Sequence, residues 1–347
     1  MKLDPYLTKL PEITSKFRGV DLIHAEQVRG GRNSRVYKIF CADEKTFIVK
    51  FYFRHRHDQR KCLENEFLAF QFLWQNGIRH IPQPLLANET QDYAIYEYIE
   101  GTKITASKVT ESDVDQLVQF LTILRELNDT KGSEAIPSAS EAFFSMHGIV
   151  TNLNTRLSLL QSRAEAHLGL IDFLKKEYVP FLMEVIHRSQ SKVKDWGLLW
   201  GEELEESKRT LSPSDFGFHN ALKNKNGEII YLDFEYFGWD DPAKMISDFL
   251  LHPGMKLDEE RKQQFAQNIF PNFAQDEFLV DRVRTVYPLF GLKWCLILLN
   301  EFLSENLQKR GFAGKHSIDK NLYEIQLVKA QKMLEKVIIH DQQFPYA

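Results

Sequence analysis

The sequence predicts an α+β chain in which a small strand-rich lobe with one helix precedes a larger, mostly helical lobe. Three observations predict it. β-Branched and aromatic runs cluster in the first hundred or so residues, helical periodicity dominates after them, and two short strands with polar loops interrupt the helices at about 209–241.

Taken in order, residues 22–28, 35–40 and 45–53 are short β-branched and aromatic runs that suit a strand meander, with RGGRNS (29–34) between the first two. ENEFLAFQFLWQNG (64–77) repeats apolar residues at helical spacing and stops at Gly77. IPQPLL then breaks the chain, and YAIYEYIEG (93–101) is a further strand ending in a glycine turn. From 102 onward helical patterns run at 111–129, 151–168, 170–189, 258–270, 278–303 and 319–338. The texture changes near 98–102, which divides the chain into an N-terminal lobe, 1–98, and a C-terminal lobe, 99–347.

Bulk properties exclude several classes of function. The chain has 347 residues, ample for a sizeable core, and 43% hydrophobic with 27% charged residues is the balance of a globular protein. A net charge of −4 argues against broad binding to nucleic acid or to an anionic membrane. The three cysteines, Cys41, Cys62 and Cys295, are far apart, so neither a disulfide framework nor a zinc ribbon is expected. The N-terminal MKLDPYLTKLPEITSK lacks the apolar stretch of a signal peptide, and WCLILL (294–299) is too short to span a bilayer. A cytoplasmic location follows as the expectation; oligomeric state is not legible.

The stretch SDFGFHN (214–220) contains the triplet Asp215-Phe216-Gly217, which spells the magnesium-binding signature of a protein kinase. That reading requires an upstream aspartate followed five residues later by asparagine. The upstream candidate is Asp195, and Trp200 stands five residues on. The reverse reading works: Asp215 is followed at the fifth position by Asn220, the D-x-x-x-x-N spacing of a catalytic loop. A turn at NKNG and the strand EIIYLDFE then deliver Asp233. Phosphoryl transfer requires charge neutralised at the β- and γ-phosphates and a hydroxyl aimed in line. Asn220 and Asp233 supply hard oxygen ligands for Mg²⁺, and Asp215 accepts or orients the proton of the attacking hydroxyl.

The strand-rich lobe carries complementary parts. Lys50, in TFIVKFYF, lies mid-strand among apolar residues, where an ammonium can project towards phosphates. Glu66 on the following helix can pair with it, in competition with Glu64. Gly30 and Gly31, with Asn33 and Ser34, make a turn whose N–H groups can approach phosphate oxygens, although two glycines serve any hairpin.

In order, VRGGRNSRVYKI, FIVKF, ENEFLAFQFL, IYEYIEG, SPSDFGFHNAL and IIYLDFEYFGWDDP resemble the aminoglycoside phosphotransferase and choline kinase-like family, over roughly 22–252. The resemblance implies a bilobal protein-kinase-like fold with a small antiparallel-sheet N-lobe and a larger helical C-lobe. It also implies transfer of the γ-phosphate of ATP or GTP, with Mg²⁺, to a hydroxyl of a sugar, amino sugar or amino alcohol. By motif match Asp215 takes the catalytic-base role, Asn220 and Asp233 the magnesium roles, and Lys50 with Glu66 the phosphate anchor. Glu97, Tyr98 and Ile99 match the hinge that meets the nucleobase. Two positions depart from the family pattern. Pro213 stands where a histidine usually braces the loop, and Met245 where an aspartate is common, with Asp248 as a stand-in. A nucleotide-binding module without catalysis is the alternative reading.

Other features have a bland reading beside the functional one. Glu235, Trp239 and Asp240 follow the metal strand, where the family's substrate cleft begins, and are candidates for acceptor contact. Asp241 with Pro242 reads as a helix N-cap and first-turn proline. RHRHDQRK (54–61) reads as a solvated loop, since its two histidines lack further ligands, and GEELEES (201–207) as a solvated turn. LKWCLILLNEFL (292–303) reads as core helix, with Trp294, Asn300 and Glu301 as remoter pocket candidates.

Overall fold

The structure is a computed structural model that describes residues 4–28, 34–53, 61–162, 167–303 and 321–346. Its described residues divide into two compact units: one takes in 4–103 with Asn220–Tyr236, the other Ile104–His219 with 237–303 and 321–346.

In the first unit, β1 (Leu22–Val28), β2 (Ser34–Cys41), β3 (Thr46–Tyr52), β4 (Pro84–Asn88) and β5 (Tyr93–Glu97) form one antiparallel sheet in the order β1-β2-β3-β5-β4. Strand side chains alternate between faces, and this alternation places the site. Val49 and Phe51 of β3, with Tyr93 and Ile95 of β5, turn to one face and pack with Leu10 and Ile13 of helix α1 (Leu10–Arg18). The intervening Lys50 and Tyr52 turn to the other face, where helix α2 (Cys62–Gln75) lies. A second sheet, of β6 (Thr102–Lys103), β8 (Ala221–Lys223) and β9 (Ile229–Tyr231), joins the segment carrying Asn220 and Asp233 to this unit.

The first unit also contains elements not expected from the sequence. Helix α1 has no counterpart there, and IPQPLL, read as a break, leads into β4. A proline is tolerated there because Pro84 opens an edge strand, the place in a sheet where a residue without an N–H is accommodated.

The second unit is mostly helical: α3 (Glu111–Glu126), α4 (Met146–Gln161), α5 (Leu168–Phe173), α6 (Val179–Asp195), α7 (Pro242–Leu251), α8 (Glu259–Ile269), α9 (Leu279–Leu298) and α10 (Leu322–Gln342). A π turn at Leu174–Tyr178 carries α5 into α6. Helix α7 is buried along its whole length and packs on α9, as does α10. The Asp241 side chain caps α7 by accepting from the Ala243 N–H at 2.8 Å, and Arg282 clamps the same carboxylate. Strands β7 (Thr210–Ser212) and β10 (Gly238–Asp240) pair in this unit, so the 209–241 region holds four short strands where two were expected. Among the described residues, no helix is long and apolar enough to cross a membrane.

Candidate active site

The first unit gathers one cation and three carboxylates. Lys50 Nζ donates to Glu66 Oε2 at 2.7 Å and to Asp233 Oδ1 at 2.8 Å, and lies 3.0 Å from Glu235 Oε1. Its position follows from the strand: β3 presents Lys50 to the α2 face, and the helical period turns Glu66, with Leu63 and Phe70, inward. Glu66 is fully engaged. Its Oε2 also accepts from the Tyr52 hydroxyl at 2.5 Å, while Oε1 accepts from the Phe234 N–H at 3.1 Å. Phe234 is buried against the ring of Phe70, 4.9 Å between centroids, which anchors the segment that carries Asp233.

Asp233 itself has φ +67°, the left-handed region that aspartate tolerates better than bulky residues. The Leu232 N–H donates to the Asn220 carbonyl at 2.8 Å, so Asn220 lies across the ladder one residue from Asp233. Asp233 keeps 41% of its side chain exposed, whereas Glu66 and Glu235 keep 2% and 3%.

The electrostatics follow from burial against charge. Burial alone pulls the Lys50 pKa down, but Asp233, Glu235 and Glu66 outweigh it and hold the ammonium well above its ordinary value. Burial pushes Glu66 up, opposed by Lys50. Burial also takes Glu235 up to about 7, with Lys50 opposing and Asp233 assisting.

The second unit holds Asp215. Strand β7 leads to Ser214, at φ +64°, and then to Asp215; Phe216 is buried and stacks on Phe120 at 5.8 Å. Gly217 has φ +150°, and a Cβ there would stand 2.2 Å from Met255 Sδ, so the turn requires glycine. Asp215 Oδ1 lies 3.1 Å from Nε2 of both His219 and His252. Burial works to raise the Asp215 pKa, yet the two imidazoles more than reverse it and hold the carboxyl far below the usual carboxylate range.

The sequence matches the model of the phosphotransferase enzyme family over residues 24–275. The chain belongs to that family. Among curated proteins, no sequence matches this phosphotransferase. Among solved structures, the choline kinase of Cryptosporidium parvum Iowa II is similar, with a TM-score of 0.59 at 12% identity, covering 97% of this chain and 99% of that one. A spectinomycin phosphotransferase in complex with ADP and spectinomycin gives 0.61 at 14%, covering 93% and 98%. The ADP-bound aminoglycoside phosphotransferase APH(2'')-Ib gives 0.60 at 16%, covering 96% and 99%. At these identities the likeness establishes the kinase-like fold.

In this phosphotransferase the residues singled out in the sequence are distributed as follows. Lys50, Glu66 and Asp233 meet directly, with Asn220 beside Asp233, and Lys50 pairs with Glu66 rather than leaving that choice open with Glu64. Glu235 joins them, buried against Lys50. Ser34 opens β2 with its side chain buried, while Gly30, Gly31 and Asn33 lie outside the described residues. Glu97 ends β5, with Oε2 accepting from the Gln83 N–H at 3.1 Å, and Tyr98 and Ile99 follow it, half-buried. The Trp239 indole donates to the Ser133 carbonyl at 3.1 Å. Asp240 has no exposed surface and pairs with Lys244 at 2.7 Å; burial raises its pKa to about 6 against the pull of that lysine. Trp294 donates to Asp248 at 3.0 Å.

Sequence reasoning missed His219, His252 and Lys244. His219 was in view, next to Asn220 within the motif; the others lie in and just after α7, and nothing in spacing links them to Asp215.

The donor chemistry fits Mg²⁺. Asp233 is a half-exposed carboxylate, Asn220 offers an amide oxygen, and oxygens of Glu66, Asp233 and Glu235 lie within 4.8 Å of one another. Hard oxygen donors few in number are what this cation takes when phosphates and waters complete its shell.

Proposed function

We propose that the chain transfers the γ-phosphate of a nucleoside triphosphate, ATP or GTP, to a hydroxyl of a small molecule. The observation that carries the reading is the Lys50 ammonium, buried and held between Glu66 and Asp233 at 2.7 and 2.8 Å. A buried lysine tied to a helical glutamate and to a metal-type aspartate is the phosphate anchor that kinase chemistry uses.

Each residue then has a task. Lys50, kept extended by Glu66, offers its charge to phosphate oxygens. Asn220 and Asp233 would hold Mg²⁺, which supplies neutralisation of phosphate charge when bound. Asp215, kept ionised by His219 and His252, accepts a hydrogen bond from the acceptor hydroxyl and aims its oxygen. We assign backbone groups of Glu97–Ile99 to the nucleobase, and the turn of Gly30, Gly31 and Asn33 before Ser34 to the phosphates. Glu235 belongs with Lys50, and buried Asp240 with Lys244, which leaves Trp239 as the sequence-based candidate for acceptor contact.

The similar structures name choline and spectinomycin in connection with those proteins, which supports an amino alcohol, sugar or amino sugar as acceptor here. Incubating the protein with γ-labelled ATP or GTP, Mg²⁺ and a metabolite extract tests the reading, with Asp215→Asn in parallel. A labelled small molecule formed by wild type alone supports it. Binding of Mg·ATP with no transfer in any extract assigns the chain instead to nucleotide binding without catalysis.

A further inference from the structure

The loop that carries Asp215 is held by side chains of one helix outside the motif. Lys244, in the first turn of α7 and 1% exposed, donates to Ser214 Oγ at 3.1 Å. Its charge is matched by Asp240 at 2.7 Å and Asp248 at 3.1 Å. At the other end of α7, the capping residue His252 reaches Asp215.

The hydrogen bonds fix the tautomer of His252. Its Nδ1 accepts from the Gly254 N–H at 3.1 Å, so the neutral ring carries its proton on Nε2, 3.1 Å from Asp215 Oδ1. The same bond argues against His252 as a metal ligand through Nε2, because a neutral imidazole cannot offer lone pairs on both nitrogens. The ring is wedged by neighbours. It stacks on His219, 3.9 Å between centroids and 12° between planes, and meets Trp294 edge-on at 4.6 Å. The Trp294 indole in turn donates to Asp248, which pairs with Lys244. A closed circuit results: Ser214, Lys244, Asp248, Trp294, His252, Asp215.

We propose that α7 positions Asp215 from both ends, Lys244 through Ser214 and His252 through its Nε2–H. Both are positioning residues; of the three, only Asp215 meets the acceptor. The proposal rests on the phosphotransfer reading for its catalytic consequence. Its geometry stands apart from that reading.

The test uses the full chain, Mg²⁺ and γ-labelled ATP, with water as the acceptor. His252→Phe keeps the stacked ring and removes the N–H; His252→Gln keeps an N–H donor. The expected result is a fall in kcat for ATP hydrolysis of about 100-fold in His252→Phe, the scale of a misplaced catalytic group. KM for ATP should stay within about twofold, since ground-state nucleotide binding is untouched. His252→Gln should recover part of the loss. Lys244→Met combined with Asp240→Asn, which removes the cation with one of its carboxylates, should mimic His252→Phe.

Unchanged hydrolysis in His252→Phe and in the Lys244 double variant, beside a dead Asp215→Asn, overturns the brace and leaves phosphotransfer standing. If wild type hydrolyses nothing, NMR of histidine-labelled protein decides the geometry. A His252 Nε2–H resonance that shifts in Asp215→Ala supports the brace, and an Nδ1–H tautomer overturns it.

Discussion

Lys50 Nζ and Asp233 Oδ1 lie 2.8 Å apart although 183 positions separate them in the chain. The contact exists because β8 and β9 return Asp233 to the unit that contains β3, and because Phe234 is seated against α2. Removing the lysine leaves two nearly inaccessible glutamates without their counter-ion. Lys50→Met is expected to destabilise the protein by on the order of 3 kcal/mol, as for a broken buried ion pair, and to abolish Mg·ATP binding. Urea denaturation and a nucleotide titration check the two halves separately.

Asp215→Asn should bind Mg·ATP as wild type does and lose phosphoryl transfer by at least about 100-fold, because the variant alters only the group proposed to meet the acceptor hydroxyl. Equilibrium binding beside single-turnover transfer separates these effects. Wild-type turnover in this variant would remove Asp215 from the mechanism.

Magnesium dependence should reside at Asp233 and Asn220. Chelating the metal is expected to stop transfer, and Asp233→Ala to weaken nucleotide binding in the presence of Mg²⁺ while leaving any metal-free binding close to wild type. A titration of ATP with and without Mg²⁺ on both proteins shows whether the metal term is the one lost.

Gly217→Ala should cost about 1–3 kcal/mol, the scale of a strained backbone, since φ +150° suits glycine and a Cβ would meet Met255 Sδ at 2.2 Å. Thermal melting of Gly217→Ala with and without Met255→Ala separates overlap from strain. Recovery in the double variant measures the overlap, and what remains is the backbone.

Acid stability offers a test away from the site. Glu141 is desolvated, yet Lys293 at 3.0 Å and Arg156 at 2.7 Å bring its pKa from 4.5 to about 2. A depressed carboxylate means the unfolded chain binds more protons, so stability is present above pH 4.5 and is lost as pH falls towards 2. Glu141→Gln should flatten that acid limb by on the order of 2 kcal/mol, allowing for its partial exposure. Denaturation midpoints across that range, compared with wild type, read the difference.

The sequence by itself determined the class of the fold, through strand-like runs before helical ones, and it singled out Asp215, Asn220 and Asp233 as candidates through motif spacing. Lys50 was legible because a lysine inside an apolar strand requires a buried partner. Three things came only with tertiary structure. Glu66 was separated from Glu64 by which helical face is buried, and Glu235, a candidate for acceptor contact in the sequence, lies buried 3.0 Å from the Lys50 ammonium. The brace of Asp215 was decided by packing: α7 lies where Lys244 and His252 reach the loop, and side chains distant in sequence carry no local signal of such a meeting. Hydrophobic periodicity and motif spacing are properties of neighbours along the chain, whereas pairing of buried charges is settled only when the core closes and each must find a partner.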